Sequence, residues 1–257
     1  MVTIRGRTFD LGAGPAEVVW LEEIGSTNDY LTGLGPTPFP RLVLTWNQTE
    51  GRGRLGREWQ GSTGDSLALS VDLGPLVPAP MPAEWIGTIP LLAGACLAEA
   101  VVGVLGLNPE VKWPNDVLIG GKKVAGVLGE IPEPGRVIIG IGLNVWGAPQ
   151  TEGLDATSLS EHGLSNPSAL NSTIESFVSD FLARAERSAY QRAETDLPFI
   201  RRHLSTLGES VRVSMPDGST VEGLASELDS TGRLLVVTSS GSQAISAGDI
   251  EHLRTVP

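Results

Sequence analysis

The stretch VLIGGKKVAGVLGEI, Val117–Ile131, decides the fold. Two apolar, β-branched runs meet at Gly120 and Gly121. Only glycine takes the positive φ of a two-residue hairpin loop without strain, so the two runs pair antiparallel. In the next run, RVIIGIGLNVW at Arg136–Trp146, Val137, Ile139, Ile141, Leu143 and Val145 fall on one face and Gly140, Gly142 and Asn144 on the other. The first face is core. The stripped face is either a floor for a flat ligand or a seat for a neighbouring helix.

Working outward, strand-like segments at Arg41–Trp46, Ser66–Leu73 and Glu110–Trp113 extend the sheet. Three helices accompany it. A short one follows Ser26, which stands at capping-box spacing from Asp29; a core helix spans Ile86–Leu105; a long amphipathic one runs around Ser172–Gln191, with Ile174, Phe177, Val178, Phe181, Leu182 and Ala185 in one stripe. After Leu207 the texture changes to short strands, Ser210–Met215, Ser219–Ser226, Arg233–Thr238 and Gln243–Ser246, separated by turn residues. The expected fold is α+β: a mixed, mainly antiparallel sheet with helices packed on it, then a small all-β barrel, with domains at 1–206 and 207–257. The connection Gly147–Pro167 is rich in Gly, Ser, Pro and Asn and long for a compact domain, so it reads as a lid or a loose loop.

The 257 residues carry 18 basic and 30 acidic side chains, a net charge of -12, which argues against a broad nucleic-acid footprint or a polybasic membrane patch. One cysteine, Cys96, rules out a disulfide framework or a thiolate metal site within this chain and fits a reducing cytosol. The N-terminal residues lack an apolar export segment, and Ile86–Leu107, interrupted by Thr88, Pro90 and Glu99, reads as a buried helix rather than a membrane span. His162, His203 and His252 have no metal-ligand spacing, and no Gly-x-Ser-x-Gly elbow occurs. What remains is group transfer between anions, in which the protein holds two reactants and neutralises charge.

The segment TWNQTEGRGRLGREW, Thr45–Trp59, carries that chemistry, with Arg52, Arg54 and Arg57 alternating with Gly51, Gly53 and Gly56. Glycines let the backbone approach an anion, and guanidinium forks match phosphate or carboxylate oxygens. The bland alternative is a solvated loop. A formal dinucleotide fingerprint is present, with Asp72 at the ribose-acid spacing, but no apolar helix follows the glycines to support it. A Walker-type Gly-Lys-Ser/Thr is also absent.

Two further segments stand out. In KWPND, Lys112–Asp116, either an ordinary turn or a nucleotide contact is written: Asn115 or Asp116 facing the nucleotide, with Asp116 toward a magnesium ion carried by phosphates or toward an incoming amine. In Lys122–Glu130, Ala125 and Gly126 leave room for a ligand against the strand, and Lys123 puts a point charge at its rim.

Taken together, Ser26-Thr27-Asn28, GRGRLGR at Gly51–Arg57 with Trp59, KWPND at Lys112–Asp116, KVAG at Lys123–Gly126, GIGLN at Gly140–Asn144, ATSL at Ala156–Leu159 and AGDI at Ala247–Ile250 resemble biotin protein ligases, in family order. The resemblance implies an ATP-dependent ligase. Biotin's carboxylate attacks the α-phosphorus of ATP to give biotinyl-5'-AMP and pyrophosphate, and a lysine of a biotin carboxyl carrier domain of acetyl-CoA or acyl-CoA carboxylase then displaces AMP. The substrates would be biotin and ATP with Mg2+.

By position, the resemblance assigns Ser26, Thr27, Asn28 and Gln48 to the biotin head group. Gly51, Arg52, Gly53, Arg54 and Gly126 fall around biotin, with Arg52 and Arg54 closing over carboxylate and phosphate. Lys123 would bridge the two reacting groups. Arg57, Trp59, Asn115, Asp116 and Asn144 fall to ATP, with Trp59 against adenine and Asn144 at the base edge; Asp116 is a possible Mg2+ contact. Family members that repress transcription carry a DNA-reading helix-turn-helix before Ser26-Thr27-Asn28, where this chain has about 25 residues. The expected protein is therefore a cytoplasmic monomer or homodimer with no DNA or membrane partner. Its rivals are a lipoate ligase, whose loop pattern differs from GRGRLGR, and a non-catalytic sensor of biotin or nucleotide.

Overall fold

Gly120 and Gly121 sit at φ 59° and 80°, so the hairpin turns where the glycine pair demands it. The computed structural model describes residues 2–4, 7–9, 17–36, 38–61, 63–77, 81–150, 155–191 and 193–253. In chain order it contains β1 (Val2–Ile4), β2 (Arg7–Phe9), β3 (Glu17–Leu21), α1 (Thr27–Leu34), β4 (Arg41–Thr45), β5 (Ser66–Asp72), α2 (Ala83–Leu105), β6 (Pro109–Lys112), β7 (Asp116–Ile119), β8 (Lys122–Glu130), β9 (Ile138–Asn144), α3 (Pro167–Gln191) and α4 (Leu197–His203), followed by β10 (Ser210–Ser214), β11 (Thr220–Leu228), β12 (Leu234–Thr238), β13 (Gly241–Ile245) and β14 (Asp249–His252).

Seven strands form the main sheet in the order β3-β4-β5-β9-β8-β7-β6. Only β3 and β4 run parallel; the other neighbours are antiparallel, so the sheet is mixed and mainly antiparallel, as the hairpin reading expects. Val137, Ile139, Ile141, Leu143 and Val145 are all buried in the core. Strand β3 escapes the sequence pattern because it is a short edge strand with no buried residue. Helix α3 starts at Pro167, ahead of Ser172, because the Asn166 side chain accepts from the Ala169 N–H at 2.9 Å and proline suits the first helical position. Of the Gly147–Pro167 connection, residues 151–154 lie outside those described.

Helix α2 is the centre of the core. Its segment Trp85–Leu105 is long and apolar enough to cross a membrane, yet 67% of its most apolar window is buried within the protein, which fits a core helix. Cys96 lies on its buried side, and burial pushes the thiol well above its ordinary value. Asp72, the formal ribose acid, is sealed against Arg136 at 2.8 Å. The same guanidinium donates to the Leu31 and Thr32 carbonyls, so the pair stitches the end of α1 to β5. A carboxylate spent this way has no reach to a ribose.

The C-terminal strands form an antiparallel sheet in the order β13-β12-β11-β10-β14. Its Asp229–Arg233 turn is stiffened by Asp229, which accepts from Thr231 and Arg233. Burial would raise this carboxyl's pKa, but those bonds outweigh it and hold it below the usual range. The turn docks on the main domain, where the buried Trp113 indole N–H donates to the Gly232 carbonyl at 3.0 Å. Gly87 in α2 faces the same turn, and a Cβ there would overlap the Thr231 carbonyl oxygen.

Glycine-to-alanine changes inside a helix normally stabilise by about 1 kcal/mol. Gly103→Ala, in the same helix with nothing within 4 Å of the added carbon, should follow that rule. Gly87→Ala should reverse it, destabilising the protein by about 2 kcal/mol as the turn is pushed away. Urea denaturation of the two variants checks the reversal, and equal signs would refute the docking.

Candidate active site

A cavity of about 570 Å³ opens on the stripped face of the sheet, between α1, the glycine-arginine loop and the start of β7 and β8. Its floor is built from paired glycines. Gly126 of β8 lies directly opposite Gly142 of β9, and with no side chains between them the indole of Trp59 rests on the backbone. A Cβ at Gly142 would overlap that indole, and one at Gly126 would come within 3.0 Å of it. The ammonium of Lys123 sits 5.5 Å from the same ring. Two residues back on the same face of β9, Gly140 admits Asn28, whose Oδ1 would lie 2.5 Å from a Cβ placed there. Both readings of the stripped face therefore apply: α1 covers Gly140, and Trp59 with the cavity covers Gly142.

At one end of the cavity the polar side chains form a linked set. Ser26 caps α1 by accepting from the Asp29 N–H at 3.4 Å, which orients Thr27 and Asn28 inward. Gln48 Oε1 accepts from the Thr27 N–H at 2.9 Å and from its hydroxyl at 3.0 Å. Ser70 Oγ lies 2.6 Å from both Thr27 Oγ1 and Asn28 Oδ1. Thr27, Asn28 and Ser70 are all buried.

The loop folds as a small hairpin over this face. Arg52 bridges to Glu58, the Gly53 N–H donates to the Arg57 carbonyl, and the tip turns at Leu55 and Gly56 with φ 56° and 74°. Gly51 is a close approach: a Cβ there would lie 2.8 Å from both Gln48 Nε2 and the Trp59 carbonyl. Each cation has a partner. Arg52 pairs with Asp29 at 2.5 Å and Glu130 at 3.0 Å, and Arg57 pairs with Asp249 of β14. Arg54 turns inward toward Asn115 Oδ1 at 3.4 Å, and its burial lowers its pKa against the opposing pull of Asp249 and Asp116. A half-buried guanidinium of this kind is ready for an anion.

Lys123 pairs with Asp116 at 2.6 Å across the β7–β8 ladder, one end of the KWPND turn meeting the KVAG strand. Asn115 is fastened to β8: its amide donates to the Val127 carbonyl at 2.8 Å, and its carbonyl accepts from the Val127 N–H at 2.8 Å. Asn144 is buried and largely occupied, donating to the Thr157 and Lys123 carbonyls while its oxygen faces Ser66 Oγ at 3.3 Å. It holds the ATSL segment onto the sheet and still lines the cavity.

The structure brings every site residue named from sequence to this one cavity wall except Gly51, which is buried just beneath it. Sequence reasoning gives no site role to Ser70, Glu130, Asp29 and Asp249, whose partners lie 23 to 192 residues away in the chain. The signal available for Ser70 was a polar residue in an otherwise buried strand. Chemically, one wall offers acceptors and small donors, and the other offers Arg52, Arg54, Arg57 and Lys123. Such a space suits a neutral polar head group joined to a carboxylate that must meet a phosphate.

Comparison with known proteins points to one family. The Biotin/lipoate A/B protein ligase family matches residues 20–144, and the Biotin protein ligase C terminal domain matches residues 206–253. The chain is 33% identical to a biotin--[acetyl-CoA-carboxylase] ligase of Mycobacterium tuberculosis over 98% of its length and 95% of that protein. It is 29% identical to a bifunctional ligase/repressor of Bacillus spizizenii over 91% of this chain and 73% of that one. Among solved structures it is similar to a biotin protein ligase from Aquifex aeolicus in complex with biotin and ATP, with a TM-score of 0.77, 27% identity, and coverage of 93% of this chain and 99% of that one.

The glycine floor makes a sharp prediction. Gly142→Ala should unseat the Trp59 indole and free the loop, so that trypsin cleaves after Arg52, Arg54 and Arg57 about tenfold faster while the melting temperature stays close to wild type. Unchanged cleavage would show that the loop does not depend on this seat.

Proposed function

Because the chain belongs to the biotin protein ligase family, we propose that its cavity forms biotinyl-5'-AMP from biotin and ATP and passes the biotinyl group to a lysine of a biotin carboxyl carrier domain of an acetyl-CoA or acyl-CoA carboxylase. The observation that carries this reading is the meeting of a linked polar head-group set with Arg52, Arg54 and Lys123 in one space. Ser26, Thr27, Asn28 and Gln48 take the head group, with Gly51, Gly53 and Gly126 giving the backbone clearance around it. Arg57, Trp59, Asn115, Asp116 and Asn144 serve ATP.

In the first step a biotin carboxylate oxygen bonds to the α-phosphorus as the bond to the β-phosphate oxygen breaks, and pyrophosphate leaves with the electron pair. Two anions must touch, so the barrier falls where Lys123 and the arginines stand between them. In the second step the acceptor amine attacks the acyl carbon, AMP leaves, and the amine gives up a proton. Among the described residues no cluster of three His, Cys, Asp or Glu side chains forms a metal cage. Mg2+ would enter with the phosphates of ATP, a common arrangement for this ion, and Asp116 is the cavity-lining carboxylate proposed to hold it. Asp116 serves either that ion or the acceptor amine.

We further propose a cytoplasmic monomer or homodimer without DNA or membrane partners and without repressor activity, in keeping with 30 acidic against 18 basic residues. The two domains are taken as 1–206 and 207–257, and the docked Asp229–Arg233 turn makes the second a buttress of the first.

Pyrophosphate release on mixing with MgATP should occur with biotin and not with lipoate; release with lipoate alone would favour the lipoate ligase, and binding without release a sensor. Lys123→Ala should lower single-turnover adenylate formation by about 100-fold or more with little change in melting temperature, and an unchanged rate would remove it from the chemistry. Asp116→Asn should slow one half-reaction more than the other: loss in adenylation assigns it to the metal, and loss only in transfer assigns it to the amine. Equal rates in both would remove Asp116 from either role.

A further inference from the structure

Glu130 closes β8 outside every motif that marks the family in this chain, yet it touches two of them. Its Oε2 accepts from Asn28 Nδ2 at 2.6 Å and from Arg52 Nη2 at 3.0 Å. A carboxylate can only accept, so it turns the NH2 of Asn28 toward itself and leaves Oδ1 on the side of Ser70. There the donors run short. Ser70 has one hydroxyl proton and two acceptors at 2.6 Å, Thr27 Oγ1 and Asn28 Oδ1, while the Thr27 hydroxyl and N–H are both spent on Gln48. Thr27 and Asn28 line the cavity, so a ligand N–H can supply the second donor. Were the Asn28 amide reversed, the same wall would present N–H groups and repel an N–H ligand.

We propose that Glu130 is a positioning residue: it sets the head-group wall to accept the N–H groups of a cyclic urea, and through the same oxygen ties that wall to Arg52 of the glycine-arginine loop. The inference rests on the reading of this cavity as the biotin site and adds what selects the head group and how the loop senses it. A ligand whose N–H satisfies Oδ1 locks the Asn28 amide against Glu130. That fixes the carboxylate on which Arg52 rests and holds the loop down over the reacting groups.

The test compares wild type with Glu130→Gln, measuring biotin affinity by calorimetry and tryptic cleavage after Arg54 and Arg57 with and without biotin. Wild type should bind biotin and gain protection. Glu130→Gln, melting close to wild type, should bind biotin about tenfold or more weakly, because its amide competes for the Asn28 orientation and loses the charged acceptor. Biotin should then protect its loop little. In an Arg52→Ala background the same change should still weaken biotin but alter protection no further, an outcome that general loosening would not produce. If Glu130→Gln folds poorly, Glu130→Asp, which keeps the charge but lacks the reach to both partners, should show the same two losses. A folded variant with wild-type affinity and protection would overturn the role of Glu130. Wild type that binds no biotin would instead overturn the reading of the pocket, and this inference with it.

Discussion

Two anions have to share one cavity, and the rest of the molecule is arranged around that constraint. A carboxylate approaching a phosphate gains nothing from the protein unless fixed positive charge lies between them, and the proposed site draws that charge from the cavity-lining Arg52, Arg54, Arg57 and Lys123. The chain is strongly acidic, so these cations do not stand alone: Asp29 and Glu130 hold Arg52, Asp249 holds Arg57, and Asp116 holds Lys123. Pairs this exposed add little to stability. Their value lies in geometry. Each carboxylate keeps a long, flexible cation pointed at the cavity, so a substrate oxygen meets a side chain already in place.

Charge alone would not assemble the site, because the loop carrying the arginines must lie flat on the sheet. The paired Gly126 and Gly142 make that possible by removing the side chains on which β8 and β9 would otherwise rest their partner. The indole of Trp59 fills the gap and anchors the C-terminal end of the loop, while Gly51 lets its N-terminal end pass close to Gln48. Glycine in a strand costs stability, and the neighbouring core face of Ile139, Ile141 and Leu143 offsets it.

Much of this was legible in the sequence. The glycine pair Gly120 and Gly121 announced the hairpin, the alternation in Arg136–Trp146 separated core from floor, and the clustered arginines announced an anion. What could not be read are contacts whose partners are remote. Glu130 looks like the end of a strand, and nothing in its neighbourhood says that it will meet Asn28 and Arg52 about 100 and 78 residues away. The edge strand β3 lacks a buried face and so lacks a pattern. Asp72 shows the converse error that spacing invites: at the position of a ribose acid it is buried on the Arg136 guanidinium and the Gly74 N–H instead.

Trp113 is the residue whose part changes most between the two descriptions. In the sequence it belongs to KWPND without a role of its own, but in the structure its indole is buried and bonded to the Gly232 carbonyl, and its main-chain N–H donates to Thr206 Oγ1. The turn that carries Asn115 and Asp116 therefore leans on the C-terminal sheet. The same sheet reaches the other side of the cavity through Asp249 and Arg57. The C-terminal sheet thus contacts both the turn that carries Asn115 and Asp116 and the arginine hairpin. In the proposed site these two contacts brace, from the C-terminal sheet, the turn and the loop between which the two anions would meet.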